Sequence, residues 1–234
     1  MIFQVGLENN NEGRSIAWAL EHPGCYAYSV NAEGALLNLE SALSRYAGWI
    51  LHHDTRTWLS FSDSEIETVV NGTWDVYYVN DELDKTTEID GFSIEAFFPY
   101  DWKPLTALEI KHAQAMLVWS REDLLKPVLG LSQEKRNAVY TGERWSINGI
   151  LGHVGGATYW YLDRLGMAFP REQLPEDPQA RFEKVHDYFS AALPKMEGMK
   201  KVVGVEGELW SPRKALRRAL WHERDHTEHI RKLL

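Results

Sequence analysis

The chain has one cysteine, Cys25, among 234 residues. An internal disulfide is therefore excluded, and a reducing, cytoplasmic setting is expected. No apolar stretch approaches the roughly 18 residues of a spanning helix, so no membrane partner is expected. Met1 to Asn10 carry neither a basic start nor a long apolar run, which argues against a signal peptide or anchor. Glycine-rich nucleotide loops, a phosphate loop and a Gly-x-Ser-x-Gly nucleophile turn are all missing. Bases are scarce in the first part of the chain: up to Leu105 there are 17 acids against 5 bases, a net charge of −12. From Thr106 onward 17 acids meet 20 bases, a net of +3 with the signs interleaved. A phosphate backbone would be repelled by the first part and poorly attracted by the second, so nucleic acid is not expected as a partner.

This charge step divides the chain into two expected domains, 1–105 and 106–234, of class α+β. In the first, strands are expected at Ile2 to Leu7, Ser15 to Leu20 and Cys25 to Val30, separated by the polar Glu8 to Gly13 cluster and the Pro23-Gly24 turn. Asn31 caps a helix whose Ala35, Leu36, Leu39, Ala42, Leu43, Tyr46 and Trp49 recur at helical spacing. The order is β-β-β-α. Cys25, following a tight turn in this β-rich part, reads as a small buried residue rather than a nucleophile.

The run Ala17-Trp18-Ala19-Leu20-Glu21-His22-Pro23-Gly24-Cys25, followed by the Ala32 to Trp49 helix, resembles the HicB-type antitoxin domain over roughly the first 50 residues. That resemblance implies a fold like a truncated ribonuclease H and, within the family, pairing with a toxin. The chain has no evident DNA-binding tail and continues into a different domain, so the fold is carried over and the role is left open.

Asp54 to Glu67 is polar and loop-rich, Thr68 to Asn80 favours strand, and Asp81 to Asp90 is a charged segment. Phe97, Phe98, Tyr100 and Trp102 surround Pro99 and Pro104, either as a buried connector packing one domain on the other or as a stacking site for a ligand. Four helices are then expected. The first runs from a Thr106 cap to about Lys126, the second follows Ser146, the third spans about Gln179 to Leu193, and the last runs from Ser211 and Pro212 toward Leu234. Arg136 to Arg144 reads as a connection and Lys200 to Leu209 as an extended excursion. Four amphipathic helices of this length argue for a four-helix bundle.

On the last helix Ala215, Ala219, His222, His226, Ile230 and Leu233 form one stripe, with Arg217, Arg218, Glu228, Arg231 and Lys232 largely away from it. His222 and His226 are four apart, so both imidazoles leave one face about 6 Å apart along the axis and can converge on an ion. By itself this spacing is weak, since nine histidines produce such pairs by chance. His153 on the second helix, among Gly149, Ile150, Gly156 and Ala157, is the candidate third ligand; a core histidine bonded to a carbonyl is the alternative. Three neutral imidazoles with an open position would suit a catalytic zinc site, where the ion lowers the pKa of a bound water or thiol.

The residues Trp145-Ser-Ile-Asn-Gly-Ile-Leu-Gly-His153-Val and Trp210-Ser-Pro-Arg-Lys-Ala-Leu-Arg-Arg-Ala-Leu-Trp-His222-Glu-Arg-Asp-His226 are similar to the DinB/YfiT-like superfamily across about Thr106 to Leu234. The resemblance implies a four-helix bundle holding a divalent metal with His153, His222 and His226. It also implies a thiol-dependent transferase, hydrolase or isomerase chemistry of the kind found in several relatives. His229 either faces solvent, binds substrate, supports the site from behind or replaces a ligand. His112 and His186 have no partner at telling spacing, and Glu223 and Asp225 read as surface charges, with acceptance from an imidazole N–H as the alternative.

Two functions are expected to compete. One is a metal-dependent transferase or hydrolase acting on a small molecule, with zinc or nickel, or else iron or manganese, as the ion. The other is a non-enzymatic interaction protein whose bundle metal is structural, closed by a fourth ligand such as His229. The acidic first domain would shape the pocket entrance or mediate association, including with a second copy as a homodimer.

Overall fold

A computed structural model describes residues 1–54, 58–59, 66–79 and 92–234. The expectations for residues 55–57, 60–65 and 80–91, which include the charged Asp81 to Asp90 segment, lie outside the described residues. Its contacts divide the chain into two compact units, Met1–Lys103 with Gly204–Leu209, and Pro104–Val203 with Trp210–Leu234.

In the first unit β1 (Ile2–Asn11), β2 (Arg14–Ala19) and β3 (Tyr26–Ser29) form an antiparallel meander, and α1 (Ala32–His53) follows. The β1–β2 turn falls on Glu12 and Gly13, both at positive φ (50° and 77°), the backbone pattern that suits the twist of a two-residue hairpin. Asn31 caps α1 as expected, its side chain accepting from the Gly34 N–H at 2.8 Å. The sheet also has a fourth strand, β4 (Glu67–Asp75), which pairs parallel to β1 and gives the order β3-β2-β1-β4. Propensity marked β4 as a strand but not its partner, because parallel pairing across a long excursion leaves no local signature.

Alternation sets the two faces of this sheet. Phe3, Val5, Leu7, Ala17, Ala19 and Ala27 share one face by register, and the Phe3–His22–Tyr46 ring contacts bring α1 to it. Gly6 and Trp18 share the other. There Phe98 lies so close that a Cβ at Gly6 would sit 2.5 Å from its ring, while one at Gly72 would meet Pro99 at 2.9 Å. The aromatic segment is thus core of the first unit, with Phe97, Phe98 and Tyr100 buried and only Trp102 exposed. The buried Glu8 carboxylate ties this face together by accepting from Trp18 Nε1 (2.9 Å), Asn11 Nδ2 (3.2 Å) and the Ala96 N–H (3.4 Å). A two-stranded ladder, β5 (Tyr77–Val79) with β6 (Phe92–Ile94), completes the unit's strands among the described residues, apart from the 203–210 hairpin shared by both units. Cys25 is buried.

The second unit is built on α2 (Ala107–Leu125), α3 (Gln133–Asn137), α4 (Ile147–Arg164), α5 (Pro178–Ala192) and α6 (Pro212–Leu233). Each long helix starts on a side-chain cap. Thr106 and Glu109 bond reciprocally at α2, Ser146 accepts from Gly149 N–H at α4, Asp177 from Ala180 N–H at α5, and Ser211 from Lys214 N–H at α6. The short α3 replaces part of the expected connection, with Ser132 as its cap. The excursion after α5 is a hairpin, β7 (Val203–Val205) and β8 (Glu208–Trp210), turning through Glu206 and Gly207 at positive φ.

The long helices pack in a ring, α2 on α6, α6 on α4, α4 on α5 and α5 on α2. Leu124, Ile147, Ile150, Leu151, Val154, Phe182 and Ile230 form the core between them. Gly155 lets α5 approach closely, since a Cβ there would stand 2.8 Å from the Phe182 Cα. The first three turns of α6 differ from the expected amphipathic stripe, because Arg213, Lys214, Arg217 and Arg218 are all buried. Sequence periodicity reports which face is apolar, not whether the polar face is also covered. Among the described residues no helix is long and apolar enough to cross a membrane.

Candidate metal centre

His153 lies one turn beyond Ile150 on α4, and His222 and His226 occupy successive turns of α6 ahead of Ile230. Their apolar neighbours in the core therefore fix where the imidazoles point. His222 Nε2 is 3.0 Å from His153 Nε2 and 3.1 Å from His226 Nε2. One ligand atom from each residue lies within 4.8 Å of the others, and this is the one such group among the described residues.

Protons alone satisfy this arrangement badly. His222 Nε2 carries either one lone pair or one N–H, yet faces two nitrogen neighbours, so any tautomer forces one group to be shared. A cation between the three rings would use all three lone pairs at once. An ion about 2.0–2.1 Å from each nitrogen at tetrahedral angles sets the nitrogens about 3.3 Å apart, within a few tenths of an ångström of the distances found. Among the described residues no carboxylate joins the three imidazoles, so the donor set is neutral and all-nitrogen, a kind that suits zinc, nickel or iron better than manganese.

Electrostatics keep these rings in the form that binds metal. Burial first, then the nearby His226, His153 and Arg218, hold His222 well below the usual histidine range. Burial, then His153 and His229, push His226 down to about 3. Both rings are consequently neutral at pH 7. Aromatic walls fix their planes. Trp145 stacks on His153 (4.2 Å between centroids, 26°) and meets His226 edge-on, while Trp221 stacks on His222 at 5.3 Å. His153 itself is half-buried, and a Cβ at Gly156, one turn on, would meet no described atom within 4 Å. Small residues near His153 thus do two jobs: Gly155 admits α5, and Gly156 leaves room beside the imidazole.

His229 is not the fourth member of the cluster. Its Nε2 lies 2.8 Å from Glu143 Oε2, and its ring stacks on His226 at 5.7 Å. His112 is half-buried away from the group, its pKa lowered by burial and by Lys111. His186 lies on the third long helix as expected, whereas Glu223 departs from its surface reading. His186 is buried with Nε2 3.0 Å from the Leu117 carbonyl and 3.9 Å from Glu223 Oε1. Glu223, far from being a surface charge, is 1 % exposed, and burial raises its pKa against the opposing influence of His186, the Ser120 hydroxyl and Arg121. Asp225 is half-buried. Sequence spacing could not find the His186–Glu223 and Glu143–His229 contacts, since each joins separate segments. The only local signal was Trp145, an aromatic directly before a helix cap and one ligand-bearing helix.

A model of the DinB superfamily matches residues 116–230, just under half the chain, and that stretch contains all three histidines. The C-terminal part is DinB-like. No curated protein and no solved structure matches the chain.

Proposed function

We propose that the second unit is a DinB-like four-helix bundle that binds a divalent metal through His153, His222 and His226 and uses it in thiol transfer or hydrolysis. The observation that carries this reading is the gathering of three imidazole nitrogens, from two helices, within 4.8 Å of one another, with no carboxylate of the described residues in the group. When bound, the ion supplies Lewis acidity that ionises a thiol or water near neutral pH. The chain's own residues do the rest. Trp145 and Trp221 hold the ligand rings in plane, the space beside Gly156 admits a small substrate next to His153, and His229, oriented by Glu143, is placed to take up a proton beside His226.

The engagement of His229 with Glu143 favours an open, three-ligand site over the closed four-ligand site that a purely structural metal would want. For the first unit we propose a HicB-like origin, supported by the β-β-β-α order and the Pro23-Gly24 turn, with a supporting or associating role rather than a catalytic one. Metal analysis of the purified chain tests the main reading. About one divalent ion per chain is expected, lost in His222→Ala with the helical circular dichroism intact. With cobalt(II) loaded, a low-molecular-weight thiol is expected to shift the visible absorption. A wild-type chain that retains no stoichiometric metal would overturn the proposal.

A further inference from the structure

The surroundings of the three histidines are cationic. The charges that act on His222 are those of His226, His153 and Arg218, and those that act on His226 belong to His153 and His229; among the described residues no carboxylate offsets them. A divalent ion held there by neutral donors would keep its full charge and favour an anion beside it.

Two of the ligand rings are each backed by a tryptophan, and each tryptophan by an arginine. Trp221 stacks on His222 and carries the Arg218 guanidinium 4.2 Å from its ring centroid, while Trp145 stacks on His153 and carries that of Arg144 at 4.7 Å. The two arginines differ in access. Arg218 is 4 % exposed, whereas Arg144, in the connection just before the Ser146 cap of α4, stands open to solvent. Among the described residues Arg144 makes no hydrogen bond and no ion pair. The neighbouring carboxylate, Glu143, is engaged with His229 instead. A guanidinium held over an aromatic ring is engaged through its face, and its N–H groups point outward from the edge, where a carboxylate can take two of them at once. Trp145 thus orients Arg144 without using the donors that recognise an anion.

We propose that Arg144 is a specificity-determining residue of the metal site and that the substrate is a small molecule bearing a carboxylate, which Arg144 receives while the reacting group lies at His153, His222 and His226. A carboxylate suits the position better than a phosphate because one accessible guanidinium offers one fork and one positive charge. The inference rests on the metal-centre reading above and adds to it the charge of the substrate.

The test is titration of the cobalt(II)-loaded full chain with 6-mercaptohexanoate and with 6-mercaptohexan-1-ol, thiols of equal length that differ in charge at the far end, followed by visible absorption. The carboxylate is expected to bind about 3- to 10-fold tighter, the worth of a charge-assisted contact at an exposed position. Arg144→Gln, which removes the charge, should bring the two thiols to equal affinity while the chain still takes up one cobalt ion. Equal affinities in the wild type, or a preference that survives Arg144→Gln, would overturn the proposal and leave the metal reading standing. Loss of cobalt in the variant would also overturn it, since Arg144 would then support the ligands rather than meet the substrate. If neither thiol perturbs the cobalt spectrum, thiol binding at the ion is itself refuted and the proposal falls with it.

Discussion

Helix α6 carries polar side chains into two buried places that solve the same problem in opposite ways. At its start Arg213 forks onto Glu109 (2.6 and 3.0 Å) and also donates to the Pro104 carbonyl at 2.8 Å. Charge meets charge and every contact has a donor and an acceptor. Three turns later His222 and His226 meet His153, and there like groups face one another across 3.0–3.1 Å with no carboxylate of the described residues in the group. The first region is complete within the chain. The second gathers three nitrogen donors that could share one cation, so the same helix reads as scaffold at one end and as candidate site at the other.

Replacing His226 by Ala should break this contrast most. Metal affinity is expected to fall at least 100-fold, measured by competition with a chromogenic chelator. Metal at a hundred times its Kd stabilises the wild type by about 2.7 kcal/mol, so chelation should lower the wild-type Tm and leave the variant's unchanged. Acid sharpens the point. With folded His226 near 3 against an ordinary 6.5, the unfolded chain takes up a proton that the folded one refuses. The metal-free protein should therefore lose stability as pH falls from about 6.5 toward 3, and His226→Ala should flatten that slope in urea titrations.

At the other end, Arg213→Ala should cost about 2–3 kcal/mol in urea melts, with or without metal, because a partly buried carboxylate and a carbonyl lose charged donors. Burial alone would raise the Glu109 pKa, but the Arg213 hydrogen bond, the Thr106 backbone and the Arg213 charge together hold it below 4.5. Its stabilisation is present above pH 4.5 and disappears as pH drops through the depressed value, a dependence that Arg213→Ala should remove.

Gly155→Ala tests the frame behind the histidines. A Cβ 2.8 Å from the Phe182 Cα forces backbone to move, with an expected cost of about 1–3 kcal/mol and a measurable loss of metal affinity. The smallest change is expected from Glu223→Gln. Burial raises the Glu223 pKa, so its protonated form is matched to the fold below pH 4.5, and stability is lost as pH rises through the folded value. The variant should show a shallower decline over that range while keeping its metal.

Much of this was legible in the sequence because it is local. Thr106, Ser146 and Ser211 capped the helices expected of them, Asn31 capped α1, and the His222–His226 spacing put two rings on one face before any fold was known. His153, on another helix among small neighbours, was the candidate third ligand that the DinB/YfiT-like resemblance then supported, and the fold brings it to the pair. What stayed hidden depends on segments far apart in the chain. The parallel pairing of β1 with β4, the burial of Glu223 beside His186, and the Glu143–His229 contact have no periodicity to betray them. The covered polar side of α6 was missed for a related reason: Arg217 and Arg218 look like solvent residues until something lies over them.

The close approach at Gly155 has a consequence for how the site fills. Because the α4 backbone rests against Phe182 of α5, the helix bearing His153 meets a hard stop set by the polypeptide itself. The imidazoles are thus cast in place independently of any ion. Uptake of the proposed metal would then need no folding step, and its rate should be governed by access past Trp145 rather than by rearrangement of the helices.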